Sequence, residues 1–79
     1  MKKFRTLVEQ KLYENDLTQR KLLELLKNEG FKVDAAELSK AVTGERKTPK
    51  AERILDASLD IIKEYEKKML ERLLKLQEK

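Results

Sequence analysis

Very little in this chain can stop a helix. Across 79 residues there are two glycines, Gly30 and Gly44, and one proline, Pro49. Glycine and proline are the residues that most often end helices and open turns, so a chain this poor in them reads as all-helical, cut at those points. Phe4, Leu7, Val8 and Leu12 recur at helical spacing and predict a first helix from about Lys3 to Glu14, broken by Asn15 and Asp16. Thr18 is a good N-cap for a second helix whose apolar face is Leu22, Leu25 and Leu26, with Gly30 as its stop signal. The stretch FKV then bridges to Asp34, a second N-cap, and Glu37 stands at the capping-box spacing after it. Leu38, Ala41 and Val42 form the inner face of a third helix, which Gly44 ends.

The polar turn ERKTP follows. Thr48 caps a fourth helix and Pro49 takes its first position, where a missing N–H costs nothing. No Gly, Pro or Asn occurs from there to Lys79, which predicts one helix of roughly 45 Å. The expected fold is all-α: four helices, with a helix-turn-helix core and a long C-terminal helix.

The residue inventory excludes most chemistry. There is no cysteine and no histidine. Disulfides, thiolate metal sites, zinc sites and histidine-based acid–base or nucleophilic catalysis are therefore absent. Carboxylates alone remain as ligands for hard cations, without an EF-hand or Walker-type loop to organise them. Neither an enzyme nor a cofactor is expected. No apolar run approaches the ~20 residues of a membrane span, and the basic start MKKFRTLVEQ is interrupted by Glu and Gln before any signal-peptide-length apolar stretch. A cytoplasmic protein without a membrane or small-molecule partner is the expectation. The net charge of +4 is unevenly placed: the first fifty residues hold twelve Lys and Arg against eight Asp and Glu, whereas the remainder is balanced.

Three short helices followed by a basic loop make a helix-turn-helix candidate. The segments LTQRKLLELL and VDAAELSKAVTGERKTPK, specifically Leu17, Thr18, Gln19, Leu22, Leu38, Ser39, Gly44, Arg46, Lys47 and Pro49, resemble the lambda-repressor/Cro-type (Xre) DNA-binding family. The resemblance covers roughly residues 2 to 60. Two features depart from the family pattern. The connection KNEGFKVD is longer than the usual tight turn, and Leu23 stands where the family usually has Ala. The longer connection resembles small regulators of phages and mobile elements. Residues 1–60 are accordingly read as the DNA-binding domain, and 61–79 as an extension of the fourth helix that dimerises.

The resemblance implies roles for particular residues. Gln19, at the start of the second helix, binds the phosphate backbone or braces the recognition helix; its plain alternative is an exposed first-turn glutamine. Ala35, Ala36, Ser39, Lys40 and Thr43 match groove-facing positions on the third helix. Lys40, Ser39 and Thr43 suit bases or phosphates, and the two alanines suit thymine methyls or are simple helix surface. No Arg, Asn or Gln occupies the front of this helix. Arg46, Lys47 and Lys50 are the best phosphate binders in the chain, with Lys32 and the basic start Lys2, Lys3 and Arg5 as further candidates. Asp34 reads as a cap, and Glu37 as a cap or exposed residue ahead of an acceptor for cytosine N4.

The fourth helix has its own pattern. Leu55, Leu59, Ile62, Glu66, Met69, Leu73 and Leu76 follow heptad steps with one polar interruption at Glu66, and Ile54, Ile61, Tyr65, Leu70 and Leu74 widen the stripe. Ile54, Leu55 and Leu59 are expected to close the core. From Ile62 onward the apolar side chains lack an obvious partner in their own chain, which points to a homodimer through Leu59, Ile62, Tyr65, Met69, Leu73 and Leu76. A back-fold onto Val8 and Leu12 of the first helix is the alternative. The expected function is a sequence-specific, dimeric, repressor-like regulator on double-stranded DNA. The second reading is a helical protein-interaction module, an antirepressor or adaptor, with a repurposed helix-turn-helix.

Overall fold

A computed structural model describes residues 3–77. It contains four helices: α1 (Leu7–Glu14), α2 (Gln19–Asn28), α3 (Ala35–Val42) and α4 (Pro49–Gln77). The all-helical class and the long last helix are as the sequence predicts. Helix α4 packs against each of the other three, and α2 packs on α3. Lys2 and Lys79 lie outside the described residues.

Each helix starts where a side chain accepts an otherwise unpaired backbone N–H. Thr18 Oγ1 accepts from Lys21, and Thr48 Oγ1 accepts from Ala51, both at 3.1 Å. At α3 the full capping box forms: Glu37 N donates to Asp34 Oδ1 at 2.7 Å, and Asp34 N donates back to Glu37 Oε1 at 3.2 Å. The first helix is shorter than its apolar spacing suggests. Thr6 is its N-cap, accepting from Glu9 N at 3.1 Å. Phe4 is left outside the helix, its ring 5.4 Å from that of Tyr13.

The first three helices end alike. An N–H two residues past the cap reaches back across the last turn: Leu17 to Leu12 O at 2.8 Å, Phe31 to Leu26 O and Glu45 to Lys40 O at 3.0 Å. The residue between must turn left-handed. Gly30 (φ 81°) and Gly44 (φ 75°) do this without a Cβ penalty, and Asp16 (φ 53°) does it as a short polar residue.

The core is Val8 and Leu12 of α1, Leu22 and Leu26 of α2, Val33, Leu38, Ala41 and Val42 around α3, and Ala51, Ile54 and Ile62 of α4. Ser58 is fully buried in the same α4 seam and donates to Ile54 O at 2.6 Å, which satisfies its hydroxyl within its own helix.

Two expectations change here. Leu55 and Leu59 are half-buried at the edge of the core, while Ala51, Ile54, Ser58 and Ile62 face its centre. The buried seam is thus rotated from the heptad stripe, because an α4 that must cover three helices presents its face to all of them. Ile62 is only 1% exposed and belongs to the core, so it is corrected from a dimerisation residue to a folding residue. The back-fold onto α1 supplies what covers it. Val8 and Leu12 are buried in the same cluster, and Asn15 Nδ2 donates to Glu66 Oε2 at 2.8 Å. The polar interruption at Glu66 is therefore an anchor between α1 and α4.

Candidate nucleic-acid interface

The basic loop between α3 and α4 is held by the chain start. Thr6 Oγ1 donates to Val42 O at 2.5 Å, joining residues 36 apart in sequence while its own oxygen caps α1. This brings Arg5 against Gly44. A Cβ placed on Gly44 meets Thr6 Cγ2 at 3.5 Å and Arg5 O at 3.8 Å, and the glycine's positive φ independently disfavours any side chain there. A shallow depression of about 440 Å³ results, in which Arg5, Arg46 and Lys47 share a rim with Glu52. Arg5, Arg46 and Lys47 are exposed, and none forms an ion pair among the described residues. Three cations from two distant segments thus converge beside the C-terminal end of α3.

Sequence spacing alone groups Arg46 and Lys47 but leaves Arg5 in a separate N-terminal cluster. The missed signal is Thr6 with Glu9 three residues later, the capping-box spacing, which places the true helix start after Arg5. Arg5 is then a pre-helical residue free to meet the loop.

Lys50 behaves differently. The sequence groups it with Arg46 and Lys47, but its Nζ lies 2.5 Å from Glu37 Oε2. Lys50 is exposed and its ammonium forms a surface pair with Glu37 that ties α4 to α3, so unlike Arg46 and Lys47 it has a partner in its own chain. The Lys50 ammonium, together with the Asp34 backbone N–H, holds the Glu37 carboxyl below the ordinary glutamate range. Glu37 in turn does two jobs, capping α3 with one oxygen and binding Lys50 with the other.

The remaining predicted residues lie at the start of α2, on α3 and in the segments outside the helices. Gln19 is the first residue of α2 and half-buried. Ala35 and Ala36 are exposed on the first turn of α3, while Ser39 and Lys40 are half-exposed one turn later. Thr43 is less available than its position suggests: its hydroxyl donates to Ser39 O at 2.9 Å, leaving only acceptor capacity. Lys32 is exposed in the connection before α3, and Lys3 is exposed at the chain start.

On α4, Leu59 packs against the core, and Tyr65 lines a groove with Leu25 and Phe31. Met69, Leu73 and Leu76 are exposed, as are Leu70 and Leu74. Among the described residues there is no cluster of acidic side chains arranged to hold a metal ion. No described helix is long and apolar enough to cross a membrane. Comparison with family models, with curated proteins and with solved structures found no match to this chain.

Proposed function

We propose that this protein is a sequence-specific DNA-binding regulator of the helix-turn-helix type, acting as a homodimer and repressing by occupying a promoter. The observation that carries this reading is the convergence of Arg5, Arg46 and Lys47 on one rim beside α3, exposed and without internal partners. Cations in this state release condensed counterions when they meet phosphates, which supplies affinity without sequence preference. Specificity then falls to the exposed side of α3, where Ala35, Ala36, Ser39 and Lys40 offer small apolar groups, a hydroxyl and an ammonium to base edges. Dimerisation through the end of α4 duplicates the reading helix and suits an operator of two half-sites.

A second reading is supported by a specific feature. The large exposed apolar side chains at the end of α4, and the internal pairing of Lys50 with Glu37, fit a protein-interaction module such as an antirepressor or adaptor.

Selection from a random duplex library at ~150 mM salt, near physiological ionic strength, separates the two. Enrichment of an inverted repeat is expected, with half-sites one or more helical turns apart, ~10 base pairs each. A library recovered without enrichment sinks the DNA-reading role.

A further inference from the structure

The lengthened connection between α2 and α3 builds a second surface, away from the basic rim. Phe31 N donates to Leu26 O at 3.0 Å, and Val33 is buried in the core, so the stretch FKV is held at both ends. Phe31 is half-buried and, with Asn28 and Glu29, lines a groove of about 560 Å³ against α4. The groove shares no lining residue with the depression that holds Arg5, Arg46 and Lys47. Along α4 it stops at Lys68, short of the exposed Met69, Leu73 and Leu76 on which the dimer reading rests.

The floor of the groove is apolar. Leu25 and Leu26 come from α2, Phe31 from the connection, and Ala57, Ile61 and Tyr65 from α4. Phe31, Ala57 and Ile61 pack on the core and stay partly open on the groove side. The three α4 residues stand at steps of four, so the floor runs along the helix for about 12 Å. A helix that anchors through positions i, i+3, i+4 and i+7 needs a seat of about 11 Å. The groove therefore has the length of two helical turns, and its i±4 ridges suit a helix packed ridges into grooves.

The rim selects the charge of the occupant. Asp60 and Glu64 stand on the α4 edge and Glu29 on the α2 side, all exposed, against the one ammonium of Lys68. None of these three carboxylates forms an ion pair among the described residues. The chain as a whole carries a net +4, so the groove has the opposite sign to the molecule around it. Asp60 and Glu64 are also like charges at i,i+4, an arrangement that disfavours the helix until a cation sits between them. An anionic partner is repelled by this rim, whereas Lys or Arg flanking an apolar stripe meets opposite charge on both edges.

We propose that the α2–α4 groove is a docking site for a basic amphipathic helix of another protein. The apolar stripe of that helix packs on Phe31, Ile61 and Tyr65. Its Lys or Arg side chains meet Asp60 and Glu64 on one edge and Glu29 on the other. The site depends on neither the DNA reading nor the dimer, because it uses residues that both leave free.

The test uses the full chain without DNA and two probe peptides of about 15 residues, long enough to form a helix when bound. One has Leu at helical spacing and Lys elsewhere; the other has Glu in place of each Lys. Amide spectra are followed by NMR at ~100 µM protein, where a micromolar association is saturated. The Leu/Lys peptide should shift the signals of Leu25, Phe31, Ile61 and Tyr65, and the Leu/Glu peptide should not. D60K with E64K should raise the dissociation constant at least roughly tenfold, because like charge then meets like. E45K with E71K makes the same change in net charge outside the groove, and should stay within about twofold because remote surface charges are screened. All four side chains are exposed, so circular dichroism should report unchanged helix content in both variants. Equal binding of the two peptides, shifts confined to the end of α4, or equal effects of the two charge reversals overturns the proposal. So does a dilution series without peptide that moves the Ile61 and Tyr65 signals, since the occupant is then a second copy of this chain.

Discussion

Asn15 and Glu66, 51 residues apart in sequence, are joined by a hydrogen bond of 2.8 Å, while the same Asn15 amide also donates to Lys11 O at 2.9 Å. One side chain therefore closes the end of α1 and fastens it to α4. Lys11 Nζ lies 4.0 Å from the same Glu66 oxygen, a long and partly exposed pair that adds little. Replacing Asn15 with Ala removes both hydrogen bonds. The expected loss is about 1 kcal/mol of stability, read as a fall of several degrees in the melting temperature for a domain of this size. Completing the apolar stripe with Glu66→Leu should not stabilise the monomer, because it leaves the Asn15 amide without its partner.

Ile62 and Leu73 lie on the same heptad stripe but sit in different environments, one 1% and the other 54% exposed. Ile62→Ala should cost about 2–5 kcal/mol through lost burial and the cavity left behind. Its effect on thermal unfolding should not depend on protein concentration. Leu73→Ala should leave the isolated fold as stable as before and weaken self-association. Melting curves over a hundredfold range of concentration separate the two.

Arg46 and Lys47 make no ion pair among the described residues. Replacing both with Ala should weaken binding to every duplex sequence alike, and should reduce the slope of log affinity against log salt by about 2. Arg5→Ala should act in the same direction by about 1, since Arg5 shares their rim. A full salt titration of each variant checks this. A drop confined to one preferred sequence contradicts a phosphate role.

Glu37 has its carboxyl pKa lowered by Lys50 and by the Asp34 N–H. A group whose folded pKa is depressed contributes stability above its unfolded value and loses it as the pH falls through the folded one. Glu37→Gln keeps a capping side chain and removes the charge. The variant should melt below the wild-type protein at pH 7. The gap should close as the pH is taken below about 4.5, the ordinary glutamate value. A gap that stays constant down to about pH 3 assigns the effect to capping alone.

The helices and their boundaries are largely written locally. Thr18, Asp34, Thr48 and Pro49 start them, and Gly30 and Gly44 stop them, because capping hydrogen bonds and positive φ are decided within four or five residues. Thr6 carries the same kind of signal for α1. Its reach across to Val42 is a tertiary fact, and so is the approach of Arg5 to Arg46 and Lys47 that follows from it.

Periodicity also gives the α4 stripe but not which part of it is interior. Ile62 and Met69 are equivalent in the repeat, yet α1 ends between them, so one is buried and the other is exposed. Likewise Lys50 reads as a free cation until α3 places Glu37 beside it. The all-helical class, most helix ends and the stock of charges are legible along the chain, since propensity and capping depend on near neighbours; the start of α1 at Leu7, after Thr6, is the exception. Which charges are already paired and which apolar residues stay uncovered is settled by the packing of the helices, because burial and pairing depend on which elements meet in space.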